Sequence, residues 1–486
     1  MNIPPEINYV VATIQQAGFE AYLVGGCVRD LLLGKEPRDW DVTTSATPEQ
    51  ITALFPKTFY ENEYGTVTVV NEDAANEALR HVEITPFRLE EKYSDKRHPD
   101  KVTFTMSLKD DLSRRDFTIN AMAYETSKGQ VIDPYNGGQD LKDRVIRAVG
   151  DPKERFEEDP LRIMRGVRLA AELGFMINME TINAMAGNPE LLKFIAPERI
   201  RDEFVKLLMS DNLMPGIVML QKVGALKMFL PELEEGIGID QNQAHKYDVW
   251  EHTLRVGQHG ADRKWGLHVR LAALFHDIGK PRTRKWGGEK NDWTFHGHDV
   301  VGGRMVRLIM KRLRFSKKLA ETVEKLVRNH MFFTDIDKIT LSAVRRIIRN
   351  VGEENVWDLM KVRNCDRIGM GRPKENPYRL RKYESMIEEA MRSPTSVQML
   401  KIDGAEVIRE TGLTPGPKIG QVLHGLLEEV LDDPKLNDRD YLVKRAKDMA
   451  KMSDKELEKL GDSGKESREE KEREALGKIK AKYHVD

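Results

Sequence analysis

Residues 22–43 read YLVGGCVRDLLLGKEPRDWDVT, and this stretch decides the fold. An apolar run ends at Val24, Gly25 and Gly26 follow, and a helical pattern begins near Val28. Two glycines at a strand-to-helix turn let backbone N–H groups approach a phosphate at the positive end of a helix. Arg29 stands in the first turn of that helix, where its guanidinium fork can meet the same phosphate. Asp39 and Asp41 then flank Trp40 at the mouth of the next strand, and residues i and i+2 of a strand face one side. Carboxylates so placed repel each other unless a cation lies between them, and Mg²⁺ prefers a few carboxylates plus phosphate oxygens. Such ions can activate a 3′-hydroxyl and neutralise a pyrophosphate leaving group. A lone Gly-Gly is usually an ordinary turn and a lone D-x-D an ordinary strand start. The two together with Arg29, in this order, point to nucleotidyl transfer.

Outward from this stretch, residues 1–150 alternate short apolar strands (AYLV, TVTVV, HVEIT, VIDPY) with turn signals and helical segments. From about 151 to 229 the apolar positions recur at helical spacing, as at Ile163, Val167 and Leu169. A break at 236–240 precedes a second helical stretch, 245–370, which holds most of the histidines. PKENP at 373–377 reads as a linker, and more helices follow from 385, interrupted by the Pro-Gly-Pro turn at 415–417. The stretch from about 452 is dense in Lys and Glu, either a solvated helix or a disordered tail. The expected architecture is α+β: a head at 1–150 with a mixed sheet and helices, a helical neck at 151–235, a helical domain at 240–372, and a helical body with a charged tail at 380–486.

A chain of 486 residues suggests about three domains. With 40% hydrophobic and 32% charged residues it has the profile of a globular protein. No apolar run is long enough for a membrane span, and the N-terminus lacks a basic-then-apolar signal, so the expected compartment is the cytoplasm. The two cysteines, Cys27 and Cys365, make neither a disulfide framework nor a thiolate zinc site. The net charge of −1 means that any grip on RNA phosphates needs segregated charge. Residues 304–318 (RMVRLIMKRLRFSKK) are strongly basic and 230–240 acidic. Each is either part of such a surface or a plain solvated face.

GGCVRDLLLG followed by RDWDVTT resembles the head of the polymerase-β-type nucleotidyltransferases, in the CCA-adding and poly(A) polymerase branch (class II). SRRDFTINAMA at 113–123 resembles the second motif of that branch, EEDPLRIMRGVRL at 157–169 its nucleotide-selecting helix, and PERIRDEF at 197–204 the motif that closes the neck. These motifs stand in family order over about residues 20–230. The resemblance implies transfer of CMP and AMP from CTP and ATP to the 3′ end of tRNA, with Asp39 and Asp41 as catalytic, Mg²⁺-holding acids. It makes Gly25, Gly26, Arg29, Arg115, Asp159, Arg162, Arg165 and Arg168 nucleotide-binding residues. Asp159, Arg162, Arg165 and Arg168 recur every three residues, which on one helix gives one broad face. A row of arginines is costly unless an anion faces it, and a triphosphate would satisfy the later ones. A carboxylate at 159 can accept from the exocyclic amine of C or A, and a guanidinium at 162 can donate to the ring edge, a pair that rejects U and G. The bland alternative is a salt-bridged surface helix. Asp116 and Asn120 are candidates to support the ribose or their own backbone. Glu83 is either a third acid for the metals or a solvent-face residue. Residues 88–102 (RLEEKYSDKRHPDKV) read as a mobile surface loop. In the family such a loop helps switch the pocket from C to A, which favours full CCA addition.

Histidines and aspartates recur farther along, at His252 (VWEHTLRV), His276 and Asp277 (LAALFHDIGKP), His298 (FHGHDVVGG), His330 (RNHMFF) and Asp366 (NCDRIG). Imidazole and carboxylate together suit a transition metal or Mg²⁺ and leave room for a bound water. The order resembles the HD phosphohydrolases. There the counterparts of His252, His276, Asp277 and Asp366 hold one divalent metal (Mg, Mn, Ni or Co class), and those of His298 and His330 a second in some members. The resemblance implies a phosphatase or 2′,3′-cyclic phosphodiesterase activity, the alternative being a degenerate domain kept as an RNA-binding body. Lys280 is placed to steer a phosphate. The turn at 414–417 before Gly420 resembles the segment that holds the tRNA body in the family, the alternative being a plain helical pack. Rival readings of the whole chain are an A-adding enzyme or poly(A) polymerase, and a phosphohydrolase whose head only binds. No membrane partner is expected.

Overall fold

The computed structural model describes residues 1–61, 65–72, 74, 76–91, 101–241, 246–287, 292–332, 339–392 and 397–485. It forms two compact units, Met1–His330 with Lys361–Pro373, and Met331–Met360 with Lys374–Asp486. A mixed sheet followed by helices is the arrangement expected of an α+β chain.

The head is built on a seven-stranded sheet. Its strands are β1 (Ala21–Val24), β2 (Asp41–Thr44), β3 (Thr58–Glu61), β4 (Thr66–Val70), β5 (His81–Pro86), β8 (Ala123–Glu125) and β9 (Gln130–Ile132), in the order β3-β4-β5-β2-β1-β8-β9. β6 (Arg88–Glu91) and β7 (Lys101–Phe104) pair with each other in a separate hairpin. β5 alternates buried Val82 and Ile84 with exposed His81 and Glu83, the pattern of a strand with one covered face. All sheet neighbours are antiparallel except β2 and β5, so β2 and β5 end side by side at the same edge. The charged loop expected at 88–102 is therefore corrected at its ends, where Arg88 pairs with Phe104 and Leu89 with Thr103. Backbone pairing there overrides the polar composition. Residues 92–100 lie outside the described residues.

Residues 151–235 are helical apart from β11 (Met176–Ile177), which pairs in parallel with β10 (Val145–Ile146). Its main helix, Leu161–Leu173, buries Leu161, Ile163, Met164, Val167 and Leu169. The helices from Val249 to Asn329 follow in the same unit, together with a hairpin of β12 (Lys285–Gly287) and β13 (Asp292–Thr294). In the second unit, Pro417–Asp432 packs on Asp454–Lys482, so the charged C-terminal stretch is helical. Residues 370–377 are non-helical, as a linker requires, and the turn at 414–416 immediately precedes the helix that carries Gly420. Cys27 and Cys365 are free and buried. No described helix is long and apolar enough to cross a membrane.

Four of the seven cations in the basic run at 304–318 meet carboxylates within their own unit. Arg307 meets Glu324, Arg312 meets Glu232, Arg314 meets Glu198 and Lys317 meets Glu321. Part of the acidic 230–240 stretch thus serves as counter-charge to part of the basic one, a pairing that sequence separation hides.

Candidate functional site

β1 ends at Val24, and Gly25 turns the chain with φ +76°, a left-handed conformation that glycine adopts without strain. The turn is also crowded: a Cβ on Gly25 would stand 3.0 Å from Arg115 Nη1 and 3.3 Å from Asp41 Oδ2. Those distances bring the guanidinium of Arg115 and the carboxylate of Asp41 to the mouth of the turn that opens helix Gly26–Leu32. Trp40, buried at 3% exposure, anchors the chain between exposed Asp39 and partly buried Asp41. Asp41 is the register partner of Glu83 across the parallel β2–β5 pair. Register partners share a face of the sheet, so Glu83 stands beside the acid pair. Burial raises the pKa of Asp41; the charge of Arg115 opposes the shift and that of Asp39 adds to it.

The motif at 113–123 links this mouth to the neck. Arg29 Nη1 donates to Asn120 Oδ1 at 2.8 Å, Asn120 Nδ2 donates to Asp116 Oδ1 at 3.1 Å, and Arg165 Nε donates to Asp116 Oδ2 at 2.8 Å. Arg114 and Arg115 both pair with Asp111, which is fully buried and also accepts from Thr43 Oγ1 of β2 at 3.1 Å. Burial works to raise Asp111, but the two arginines outweigh it and hold the acid below the usual carboxylate range. Asp116 is likewise held far down: Arg165 overcomes its burial.

The row at 159–168 needs two corrections. Asp159 is not on the helix with the arginines. It caps Pro152–Glu158 in an extended conformation (φ −134°, ψ 98°), because it precedes Pro160 and such residues avoid helical angles. Nor do the arginines wait for an external anion. Arg162 bonds Glu158 Oε2 at 2.6 Å and the Arg114 carbonyl at 3.0 Å. Arg165 pairs with Asp116 at 2.6 Å, and Arg168 with Glu203 at 2.7 Å and Glu172 at 2.6 Å. Asp159 itself pairs with Arg199 at 2.8 Å. Glu158, Arg199, Glu203 and Asp111 are the partners that sequence reasoning missed. The spacing of Glu158 with Arg162 and of Asp111 with Arg114 and Arg115 offered local signals, and Arg199 and Glu203 offered none.

The second cluster assembles mostly from helix ends. His276 follows helix Leu267–Phe275, His298 opens His298–Arg312, and His330 closes Lys317–Asn329. His252 and Asp366 come from within Val249–Asp262 and Val356–Gly369. All expected ligands converge, each at most 6% exposed. Their donor atoms form two groups, His252 with His276 and Asp366, and Asp277 with His298 and His330. His252 Nε2 lies 3.2 Å from Asp277 and 3.3 Å from Asp366, and His298 Nε2 lies 3.3 Å from Asp277. The Nδ1 atoms of His276, His298 and His330 donate to the carbonyls of Ala273, Phe295 and Val327 at 2.6–2.8 Å. Each bond turns Nε2 inward, the arrangement by which metal-binding histidines are oriented. Gly279 lets the His-Asp turn press against the next helix: a Cβ there would lie 2.3 Å from the His298 carbonyl oxygen. Lys280 Nζ sits 2.5 Å from Asp277 and 2.6 Å from Gln241 Oε1. Burial pushes His330 down to about 3. Burial also works to lower His276, but Asp277 and Asp366 raise it to about 9. The donor set of buried imidazoles and carboxylates fits a divalent ion.

Comparison with known proteins gives a family match over each of the two regions. The family described as the poly A polymerase head domain matches residues 21–147, the probable RNA- and SrmB-binding site of polymerase A matches 174–237, and the HD domain matches 249–371. A CCA-adding enzyme of Ligilactobacillus salivarius is 34% identical over 92% of this chain and 97% of its own. The crystal structure of the Bacillus stearothermophilus CCA-adding enzyme in complex with CTP superposes with a TM-score of 0.58 at 27% identity, over 91% of this chain and 98% of that one. The Thermotoga maritima CCA-adding enzyme complexed with tRNA shares the fold, with a TM-score of 0.50 at 18% identity over 91% and 95% of the two chains. A nucleotidyltransferase head of this kind implies metal ions. Because the likeness runs nearly end to end in both sequences and keeps head, RNA-binding region and HD domain in order, the chain belongs to the CCA-adding enzymes, with a class II poly(A) polymerase head.

Proposed function

We propose that Asp39 and Asp41, with Glu83 beside them, hold Mg²⁺ at the head, and that CMP and AMP pass there from CTP and ATP to the 3′-hydroxyl of tRNA. The observation that carries this reading is the convergence of Asp41, Glu83, Arg115 and the Gly25 turn about the middle strands of the sheet. Mg²⁺, when bound, favours the hydroxyl as nucleophile and neutralises the departing pyrophosphate. The backbone at Gly25 and Gly26 faces the phosphates, Arg29 is held by Asn120, and Arg115 balances charge beside Asp41. Asp159 and Arg162, each held by a partner of its own, present their remaining donors and acceptors to the base of C or A. Arg165 and Arg168 brace this surface through Asp116 and Glu203, and charge not spent on those partners is available to the nucleotide. In this reading the head covers 1–150, the neck 151–235, the HD domain 240–372 and the tRNA-holding body 380–486. Asp39→Ala with Asp41→Ala is expected to cut nucleotide addition about a thousandfold or more while tRNA binding persists. Retained addition by that protein would remove the acids from the mechanism.

The HD cluster supports a second activity in the same chain, metal-dependent hydrolysis of a phosphate ester. His252, His276, Asp277 and Asp366 would hold a divalent ion of the Mg, Mn, Ni or Co class, with His298 and His330 on the second group of ligands. The ion's contribution is an acidified water for attack on phosphorus. Lys280, against Asp277, is placed to orient the ester oxygens.

A further inference from the structure

We propose that the β12–β13 hairpin is a stacking platform for a nucleobase, which makes the HD site selective for nucleoside phosphates; this rests on the phosphohydrolase reading above. The hairpin lies between two residues that touch Asp277. Lys280 precedes it and stands 2.5 Å from that acid, and His298 follows it at 3.3 Å. β13 runs directly into Phe295, whose carbonyl accepts the His298 Nδ1 proton and whose ring lies 5.5 Å from Lys280 Nζ. The platform and the cluster are thus joined by a few residues of chain at each end.

Trp286 and Trp293 are register partners across the hairpin, with ring centroids 4.9 Å apart and planes at 79°. Cross-strand aromatic pairs stabilise hairpins, and that alone would explain a covered pair. The two rings are not equally covered. The guanidinium of Arg284 lies 3.6 Å from the centre of the Trp293 ring. Trp286 remains 58% exposed. Lys280, Arg284 and Lys285 precede Trp286 in the chain. An open indole on a hairpin whose two ends lead to Lys280 and His298 at the cluster matches a ligand with a flat ring and a phosphate, and base–aromatic stacking tolerates any base.

The experiment compares adenosine 2′-monophosphate with glycerol 2-phosphate on the metal-loaded full-length protein. Trp286→Leu keeps an apolar cross-strand partner but removes the stacking face, and Trp286→Phe keeps both. The leucine variant is expected to raise KM for the nucleotide about tenfold, leave its kcat, and leave both constants for glycerol phosphate unchanged. The phenylalanine variant should recover most of the loss. An oligoribonucleotide ending in a 3′-phosphate, run alongside, separates a free nucleotide from an RNA terminus as the source of the base. Equal effects on nucleotide and glycerol phosphate, or none, overturn the proposal. Tryptophan fluorescence supplies a readout without turnover: adenosine monophosphate should quench Trp286 emission and ribose 5-phosphate should not. If neither ester is hydrolysed but this quenching persists and vanishes in Trp286→Phe, the phosphohydrolase reading falls and the platform stands. If the quenching is also absent, both fall.

Discussion

Asp39 and Asp41 stand at the open end of a strand, one exposed and one partly covered, whereas the histidines and aspartates of the HD cluster are all at most 6% exposed. The cations of the head motif and the neck are already committed: Arg115 leans on Asp111, and Arg165 and Arg168 of the neck on Asp116 and Glu203. In the HD cluster the imidazoles are aimed in advance by main-chain carbonyls. The contrast teaches how one chain can keep two candidate metal sites apart. An open acid pair suits ions that arrive and leave with a nucleotide, and a buried, pre-aimed imidazole set suits an ion that stays.

The largest effect that would sharpen this contrast is expected from His276→Ala with Asp277→Ala. Phosphate-ester hydrolysis should disappear and the bound divalent ion be lost in metal analysis, while nucleotide addition stays near wild type. A folded variant whose addition also collapsed would make the HD domain structural support for the head.

A smaller effect tests whether the neck arginines are structural pairs. Arg168 and Glu203 are 12% and 6% exposed at their side chains. Glu203→Ala leaves Arg168 with Glu172 alone and should cost about 2–3 kcal/mol, read as a lower denaturant midpoint. Glu203→Gln should recover part of it. No change in the midpoint would mean that the arginine is free for a ligand.

The smallest effect is one of pH. In the metal-free protein Asp277 and Asp366 raise His276 from 6.5 to about 9, against burial. The stability that its charged ring contributes is complete below the unfolded value and is lost as pH rises through about 9. A bound ion takes the place of that proton. The melting temperature of metal-free protein should therefore fall across this window more than that of the loaded protein, with proton release on metal uptake at neutral pH. Parallel curves would contradict the ligand assignment.

Much of both sites was legible because their residues lie close in sequence or in a fixed order. Gly25, Gly26, Asp39 and Asp41 fall within one strand–turn–helix–strand unit, and the order of His252, His276, Asp277 and Asp366 survives the folding that joins them. Asp159 was misplaced although Pro160 beside it carried the warning, since the residue before proline is pushed out of the helix. The pairing of Arg165 with Asp116 and of Arg168 with Glu203 was not legible, because those acids reach them from other elements, whereas Glu172 follows Arg168 by four residues on one helix. Nor was the β6–β7 hairpin: β6 is mostly charged, and main-chain pairing formed it.

The most direct test of separate head and HD chemistry is to follow both reactions in one preparation of Asp39→Ala/Asp41→Ala protein. Labelled CTP and ATP with tRNA lacking its terminal CCA report addition, and a nucleoside monophosphate reports hydrolysis in the same buffer. Addition should be lost and hydrolysis should match wild type. Loss of both, or survival of addition, would contradict the account.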